Sequence, residues 1–234
     1  TTPDSIAWLL NLRGGDVPYA PFALGFAIIK ADASVSLFMD PRKLPPGAEG
    51  ILGEGVTLER PDALEPALDG LGRSGETVRL DFDLAPEWIH DRLKGAGAAV
   101  SPGPDPCQLP KACKNAVELD GMRAAHKRDG WALTRFLAWL DREAPSGAVT
   151  EMSAARRLES FRREGEHFRG LSCYTISGAG EHGAIVHYHV TEETDRRLEP
   201  GTLYLVDSGA QYLDGTTDVT RTVAIGEPSE EMAL

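Results

Sequence analysis

Short apolar runs, separated by polar or glycine-rich turns, predict alternating strands and helices in the first half of the chain. The runs Phe22–Ile29 and Ser34–Met39 are joined by a short polar connection and predict a hairpin. Farther on, Thr77–Phe82 and Ala98–Val100 are typical of strands, and Pro86–Lys94 between them is typical of a helix. This strand–helix–strand order indicates an α/β unit.

The pattern of apolar positions becomes helical in the second half of the chain. Asn115, followed three residues later by Glu118, predicts the capped start of a long helix, and Thr150 predicts the start of a second helix. The first helix has apolar residues at the spacing of one buried face, namely Leu133, Phe136, Leu137 and Leu140. The second has arginines that we interpret as a solvated face, namely Arg156, Arg157, Arg162 and Arg163.

Two strand-like segments, Leu171–Ile176 and Gly183–Tyr188, follow these helices. Alternation along the second segment would place His187 and His189 on one face of a strand. A metal-binding pair, a catalytic pair and a partly exposed polar strand are all compatible with these residues alone.

A hairpin that carries two aspartates comes next. The apolar run Leu203–Val206 ends at Asp207, and Asp214-Gly215 is a dipeptide that favours a tight hairpin turn. A second strand-like run, Thr216–Thr222, contains Asp218. These segments predict helices packed on a curved, largely antiparallel sheet.

Asp207 and Asp218 are candidate ligands for a hard divalent cation, which prefers oxygen donors. With a turn at Asp214-Gly215, Asp218 would pair with Gln211 and lie roughly 13 Å from Asp207, at about 3.3 Å per residue. A shared metal site therefore requires the strands to bend or bulge, at Ser208-Gly209 on one side and at Thr216-Thr217 on the other. The alternative is a solvated hairpin with two surface aspartates.

Composition narrows the classes of partner. The chain has 234 residues, 41% of them hydrophobic and 26% charged, which is typical of a globular protein. A formal net charge of −12 argues against a nucleic-acid binder and gives no attraction to anionic membranes. The first residues resemble no export signal, and no apolar stretch approaches a membrane span. We expect a cytoplasmic protein with a peptide or small-molecule partner.

The cysteines and prolines bear on compartment and domain organisation. Three cysteines, Cys107, Cys113 and Cys173, cannot all pair with one another and show no metal-ligand spacing, so we expect reduced thiols. Ser101–Pro110 holds four prolines in ten residues and is the best linker candidate. We place a domain boundary there, with residues 1–108 before it and 109–234 after it.

The hairpin segment LYLVDSGAQYLDGTTDVTRT closely resembles the signature of Xaa-Pro aminopeptidases (aminopeptidase P), which are metallopeptidases of the pita-bread fold. In that signature, Asp207 and Asp218 match two metal-binding aspartates. Two further segments, IAWLLNLRGGDVPYAP and KNAVELDGMRAAHKRDGWALTRFLAWL, also resemble the family. Prolidase, methionine aminopeptidase and creatinase, which are related to that family, do not have this hairpin sequence.

The resemblance covers nearly the whole chain but only the middle of the family protein. It implies an α/β (α+β) chain, in which residues 1–108 are the C-terminal part of a pre-catalytic α/β domain. Residues 109–234 would then be the first half of a pita-bread catalytic domain with a curved, largely antiparallel sheet.

The resemblance also implies an activity. Family members release the N-terminal residue from peptides with proline in second position, using two divalent cations, with manganese the expected metal, and a water between them that attacks the scissile carbonyl. Asp207 and Asp218 would be metal ligands. His187, twenty positions before Asp207, matches a catalytic and substrate-binding histidine, whereas His182 and His189 match no such role. The family further implies a homodimer of the full-length protein.

The family uses one more histidine and two glutamates as metal ligands, and these are expected downstream of Leu234. We therefore expect the chain by itself to be incomplete as an enzyme. The alternatives are a truncated, non-catalytic pita-bread binding or scaffold protein, or another peptidase of the same fold, such as a prolidase.

Overall fold

The computed structural model describes residues 1–47, 50 and 52–233. The chain divides into two compact units, Thr1–Lys114 and Asn115–Leu234. Each unit has its own buried core and combines helices with strands. The assignment of residues 1–108 and 109–234 to two domains of a longer family protein stays a prediction.

The first unit is an α/β structure, as the sequence predicts. Its helices are α1 (Pro3–Leu9), α2 (Leu64–Arg73), α3 (Glu87–Gly95) and α4 (Gln108–Ala112). Its strands are β1 (Phe26–Ile29), β2 (Val35–Phe38), β3 (Val56–Glu59), β4 (Thr77–Leu80) and β5 (Ala99–Pro102).

The predicted hairpin and the predicted strand–helix–strand unit are both confirmed in the first unit. Strands β1 and β2 pair antiparallel, with Phe26 opposite Phe38, and β4 pairs parallel with β5 across the connecting helix α3. Strand β3 adds to β2 in parallel and was not predicted, because glycine and acidic residues precede its short apolar run. Leu37 and Leu93 are fully buried, each in a separate hydrophobic cluster of this unit.

The second unit consists of two long helices and two antiparallel sheets. The helices are α5 (Ala116–Glu143) and α6 (Glu151–Arg163). One sheet has the order β7-β8-β11, and the other has the order β6-β9-β10. The strands are β6 (Phe168–Leu171), β7 (Ile176–Ala179), β8 (Thr202–Ser208), β9 (Ala210–Tyr212), β10 (Gly215–Thr216) and β11 (Val219–Ile225).

Both predicted helix starts are confirmed by side-chain caps. The Asn115 side chain accepts a hydrogen bond from the Glu118 backbone N–H at 2.9 Å, and the Glu118 carboxylate accepts from the Asn115 N–H at 2.8 Å. Thr150 and Ser153 exchange the corresponding pair of bonds at the start of α6. Each cap satisfies backbone donors that the first turn of a helix leaves without a partner.

Strand β8 divides the second unit into a packed face and an open face. Tyr204, Val206 and Ser208 are buried, while Asp207 between them is half-buried. Because successive side chains of a strand point to opposite faces, Asp207 lies on the face away from the helices. The packed face meets residues of α5 and α6 that include Phe136, Leu140, Leu158 and Phe161.

The predicted strand over Gly183–Tyr188 is wrong. A 3₁₀ helix, Gly180–Ala184, is followed by a turn in which the Tyr188 N–H donates to the Ile185 carbonyl at 3.2 Å. The predicted strand over Leu171–Ile176 is also interrupted, because β6 ends at Leu171 and β7 begins at Ile176.

Gly178 and Gly183 permit this arrangement. A Cβ at Gly178 would lie 2.8 Å from the Gly183 nitrogen, so only glycine lets the 3₁₀ helix pack this tightly against β7.

The prediction of a solvated arginine face holds for Arg156, Arg157 and Arg163 but is wrong for Arg162, which is buried. Its charge is neutralised by Asp129 of α5, which is also buried.

All three cysteines are free, as expected. Across the part of the chain that the structure describes, no helix combines the length and the apolar character that a membrane crossing needs.

Candidate metal centre

The aspartate hairpin, residues 202–225, turns one position earlier than the sequence predicts. Tyr212 lies opposite Gly215, so the two turn residues are Leu213 and Asp214. Gly215 does not have a positive φ. Its role is a close approach instead, since a Cβ at this position would lie 2.9 Å from the Cβ of Ala125 on α5.

The shifted turn changes which residues face each other across the hairpin. Asp207 lies opposite Thr220, and Ser208 lies opposite Val219. Asp218 comes just before β11 and precedes Thr220 by two residues, so continuation of this register would make it the diagonal neighbour of Asp207. Diagonal neighbours have Cα atoms about 7–8 Å apart, well below the roughly 13 Å that a turn at Asp214-Gly215 would give.

The ladder between the two strands is also interrupted beside the aspartates. The break falls at Gly209 on one strand and at Thr217–Asp218 on the other, close to the bends that a shared metal site was expected to need. The Ala210 N–H donates to the Thr217 hydroxyl at 3.0 Å, and the Thr217 carbonyl accepts from the Ser172 hydroxyl at 2.8 Å. Side chains thus replace part of the backbone ladder, and the register on both sides of the break stays the same.

Gly209 is required at this break because there is no space for a side chain. A Cβ there would lie 2.8 Å from the carbonyl carbon of Thr217, and the Thr217 oxygen and the Ser172 hydroxyl would be closer still. The segments that contain Ser172, Gly209 and Thr217 therefore converge here, close in sequence to both aspartates.

The two aspartates of the hairpin differ in burial and in hydrogen bonding. Asp207 is half-buried and accepts a hydrogen bond from the Thr220 hydroxyl at 2.9 Å, while Asp218 is exposed. Burial raises the pKa of the Cys173 thiol, and the charges of Asp218 and Asp207 raise it further.

Asp207 and Asp218 are chemically suited to bind a divalent cation. Among the described residues, neither Asp207 nor Asp218 forms an ion pair, so no basic side chain there balances either carboxylate. Carboxylate oxygens on a rigid sheet are suitable ligands for a hard cation such as Mn²⁺. Two aspartates supply only part of a complete ligand set.

His187 lies on a different element from the two aspartates. Its side chain is exposed, in the turn after the 3₁₀ helix, and its φ of 56° lies in the left-handed region. Such a backbone conformation costs about 1–2 kcal/mol for a residue with a Cβ. Within the described part of the chain, the His187 ring makes no hydrogen bond to either aspartate.

The two neighbouring histidines have other contacts. The Nδ1 atom of His182 lies 2.9 Å from the Glu151 carboxylate, and the ring of His189 stacks on Tyr174 with 3.5 Å between the centroids. Both contacts hold the rings in place within the second unit, and the structural role expected for these two histidines stays a prediction.

Sequence reasoning missed a buried network behind the hairpin. Arg162 donates to both oxygens of Asp129, at 2.8 Å and 3.1 Å, and the Tyr212 hydroxyl donates to the same carboxylate at 2.9 Å. Burial raises the pKa of Tyr212, and the charge of Asp129 raises it further. Arg162 also reaches the carbonyls of Ser208 and Gly209, at 3.5 Å and 3.4 Å, and so supports the strand break from the packed side.

No local signal in the sequence could have revealed this network. Arg162 stands among three other arginines, and Asp129 lies in a run of charged residues. A second missed residue, Glu151, is fully buried although a glutamate in the first turn of a helix is ordinarily a surface residue.

A cluster of two acidic residues and a histidine lies at the surface of the first unit. Glu87, His90 and Asp91 on α3 have potential ligand atoms within 4.8 Å of one another. Glu87 and Asp91 are exposed, and we assign no metal site to them.

Comparison with known protein families gives two matches that together cover nearly the whole chain. Residues 1–118 match the creatinase/prolidase N-terminal domain, and residues 120–234 match metallopeptidase family M24.

Curated relatives extend this match. The chain is 39% identical over 240 residues to a probable Xaa-Pro aminopeptidase P of Ajellomyces capsulatus (strain H143), covering 97% of this chain and 38% of that protein. It is 41% identical over 235 residues to a probable Xaa-Pro aminopeptidase P of Aspergillus flavus, covering 97% of this chain and 36% of that protein. The chain thus spans less than two-fifths of the length of these relatives.

Solved structures agree with the sequence matches. An X-prolyl aminopeptidase from Caenorhabditis elegans, described as a cytosolic enzyme with a di-nuclear active site, superposes with a TM-score of 0.88 at 31% identity. The superposition covers 98% of this chain and 38% of that one. An Xaa-Pro dipeptidase from Bacillus anthracis superposes with a TM-score of 0.74 at 20% identity, over 100% of this chain and 61% of that one, and shows a shared fold.

Proposed function

This chain belongs to the creatinase/prolidase N-terminal domain family over residues 1–118 and matches metallopeptidase family M24 over residues 120–234, and from that premise we propose that it is part of a metal-dependent Xaa-Pro aminopeptidase. The protein would release the N-terminal residue from peptides that have proline in second position. The observation that carries the proposal is the register of the aspartate hairpin, in which Asp207 lies opposite Thr220, two residues after Asp218. Because the chain spans 38% of the relative from Ajellomyces capsulatus, the activity is proposed for the complete protein.

Asp207 and Asp218 are the proposed metal ligands. They would bind two divalent cations, and Mn²⁺ is the proposed metal. These cations would activate water for attack on the scissile carbonyl and would polarise that carbonyl. The Thr220 hydroxyl, which donates to Asp207, leaves the second oxygen of this carboxylate available to a cation. Three remaining ligands, a histidine and two glutamates, are proposed to come from the part of the protein beyond Leu234.

His187 is the proposed substrate contact and catalytic residue. An imidazole can donate a hydrogen bond to the substrate carbonyl and stabilise the charge that develops there. Its exposure and its left-handed backbone support this role, because unfavourable backbone conformations occur preferentially at functional sites.

We also propose a cytoplasmic location and a homodimer for the complete protein. The location is supported by the Caenorhabditis elegans neighbour, which is described as cytosolic. The homodimer rests on family resemblance alone.

The proposal is tested by removing each ligand from the complete protein. Asp207→Asn and Asp218→Asn should each lose bound metal on dialysis and lower kcat/KM by more than about 100-fold. The measurements are elemental analysis and release of the N-terminal residue from an Xaa-Pro-Xaa tripeptide. Asp214→Asn is the matched control, because Asp214 lies in the same hairpin but forms an ion pair with Arg128.

The same assay separates ligands from catalytic groups. His187→Ala should lower kcat/KM by about two to four orders of magnitude and leave the metal content unchanged. Retention of metal and turnover by Asp207→Asn or Asp218→Asn would overturn the metal assignment. A metal-free, inactive complete protein would favour the scaffold alternative, and cleavage of dipeptides instead of tripeptides would favour a prolidase.

A further inference from the structure

The buried carboxylate of Glu151 lies at the centre of a network that the metal centre does not use. Glu151 is the first residue of α6, and its side chain is completely buried. One carboxylate oxygen accepts from the Ala179 N–H at 2.6 Å and lies 2.9 Å from His182 Nδ1. The other accepts from the Tyr188 hydroxyl at 3.1 Å and from the Arg196 N–H at 3.2 Å.

This arrangement fixes the hydrogen on the His182 ring. A carboxylate can only accept hydrogen bonds, so Nδ1 of His182 must be the donor. All four partners of Glu151 therefore donate to it, which is the condition under which a protein can bury a carboxylate without a large loss of stability.

His182 and Tyr188 stand at the two ends of the segment that carries His187. Their rings pack against each other with centroids 4.4 Å apart, and both rings are hydrogen-bonded to the same carboxylate. Within the segment, the Ile185 N–H donates to the His182 carbonyl, and the Tyr188 N–H donates to the Ile185 carbonyl, each at 3.2 Å. Glu151 thus closes residues 182–188 into a loop with fixed ends.

Two residues of the loop have unfavourable surroundings or backbone conformations. His187 has a φ of 56°, and the side chain of Val186 beside it is 82% exposed. A left-handed φ is uncommon for residues with a Cβ, although histidine adopts it more often than most, and contacts of the surrounding residues help to hold it. Here, Tyr188 supplies such a contact, because it is the next residue and is buried against Glu151.

We propose that Glu151 is the positioning residue for His187, because its carboxylate fixes His182 and Tyr188 at the two ends of the loop that presents the His187 ring. This inference rests on the proposed role of His187 in the aminopeptidase reaction. It predicts that a change at Glu151 acts on the reaction through His187 and not through the metal ligands.

The substitution Glu151→Gln tests this role with little change in volume. The new NH₂ group would face two of these donors, so the backbone N–H of Ala179 or of Arg196 would lose its acceptor, and the His182 or Tyr188 side chain beside it would lose its hydrogen bond or change its donor role. Either change loosens the contacts that hold the ends of the loop. Tyr188→Phe removes one hydroxyl and keeps the ring on His182. Thr150→Ala is the control, since Thr150 caps the same helix one residue earlier and its side chain bonds to Ser153.

The kinetic test uses the complete protein and an Xaa-Pro-Xaa tripeptide. Glu151→Gln should lower kcat/KM by about 10–100-fold, with the larger change in kcat. In a His187→Ala background, the same substitution should lower kcat/KM by less than about two-fold, since a residue that acts through His187 has nothing left to position. Thr150→Ala should lower the Tm and leave kcat/KM unchanged. An equal loss from Glu151→Gln in both backgrounds would overturn the inference.

A second measurement is independent of activity. With ¹³C-labelled histidine, the ring signal of His187 is identified by its absence in His187→Ala. Glu151→Gln and Tyr188→Phe should shift this signal, and Thr150→Ala should not. An unmoved signal in Glu151→Gln would overturn the inference even if activity falls. If the complete protein cleaves no Xaa-Pro peptide, the proposed function fails, and the ring signal still decides whether Glu151 positions His187.

Discussion

Replacing Gly209 with alanine is expected to destabilise the aspartate hairpin, whereas the same substitution at Gly130 is expected to stabilise the chain. Gly209 lies at the break between β8 and β9, where the backbone of Thr217 and the side chain of Ser172 leave no space for a methyl group. Gly130 lies on an exposed part of α5, and a Cβ there would have no neighbour within 4 Å. Neither glycine has a positive φ, so neither substitution forces a side chain into the left-handed region.

The size of the effect at Gly209 follows from the contacts that the methyl group would displace. A Cβ would lie 2.8 Å from the carbonyl carbon of Thr217, while comfortable carbon–carbon contacts begin at about 3.5 Å, so the backbone must move. Overpacking of this kind costs about 1–3 kcal/mol. The shift would also weaken the hydrogen bond from the Ser172 hydroxyl to the Thr217 carbonyl, worth about 0.5–1.5 kcal/mol. We expect a loss of about 3 kcal/mol.

Gly130→Ala is the matched control with the opposite sign. Alanine in the interior of a helix is more favourable than glycine by about 0.8–1 kcal/mol, and no contact opposes the methyl group here. Both free energies of unfolding are obtained from urea denaturation of the complete protein, followed by circular dichroism.

Metal content gives a second measure of the Gly209 substitution. Asp218 directly follows Thr217, so displacement of Thr217 should also lower metal affinity, whereas Gly130→Ala should leave it unchanged. A free-energy loss below about 1 kcal/mol at Gly209, together with normal metal content, would refute the close approach of the two strands.

Two further predictions concern ion pairs. Arg162→Met leaves the buried carboxylate of Asp129 without its cation and should cost about 3–5 kcal/mol in urea denaturation, whereas Arg163→Met, one residue later on the exposed face, should change stability by less than about 0.5 kcal/mol. Equal effects would contradict the burial of Arg162. In the first unit, the hydrogen bond from Arg92 holds the pKa of Asp69 below its ordinary value of 3.8. The pair therefore stabilises the fold above about pH 4, and this contribution is lost as the pH falls through the lower folded pKa. The Tm difference between wild type and Asp69→Asn should shrink between about pH 6 and about pH 2, and a constant difference would contradict it.

Local features of the sequence determined much of the fold. The caps at Asn115 and Thr150 need only residues three positions away, so the starts of α5 and α6 could be predicted. The strand–helix–strand unit of residues 77–102 likewise follows from short apolar runs. The run of residues around Asp207 and Asp218 is also specific enough to identify the family by itself.

The register of the aspartate hairpin was decided by tertiary contacts. The dipeptide Asp214-Gly215 favours a turn at that position, yet Gly215 is drawn against Ala125 of α5 and the turn moves to Leu213–Asp214. With the shift by one position, continuation of the register would make Asp218 the diagonal neighbour of Asp207, and sequence spacing alone placed the two residues too far apart.

The buried charges were also beyond the reach of sequence patterns. Arg162 lies 33 residues from Asp129, and Glu151 lies 31 residues from His182, so neither pairing leaves a local signal. On the sequence, each residue has the surroundings of a solvated helix face. Burying a charge is tolerated only where donors and acceptors from distant segments converge on it, and that convergence exists only once helices and sheets have packed.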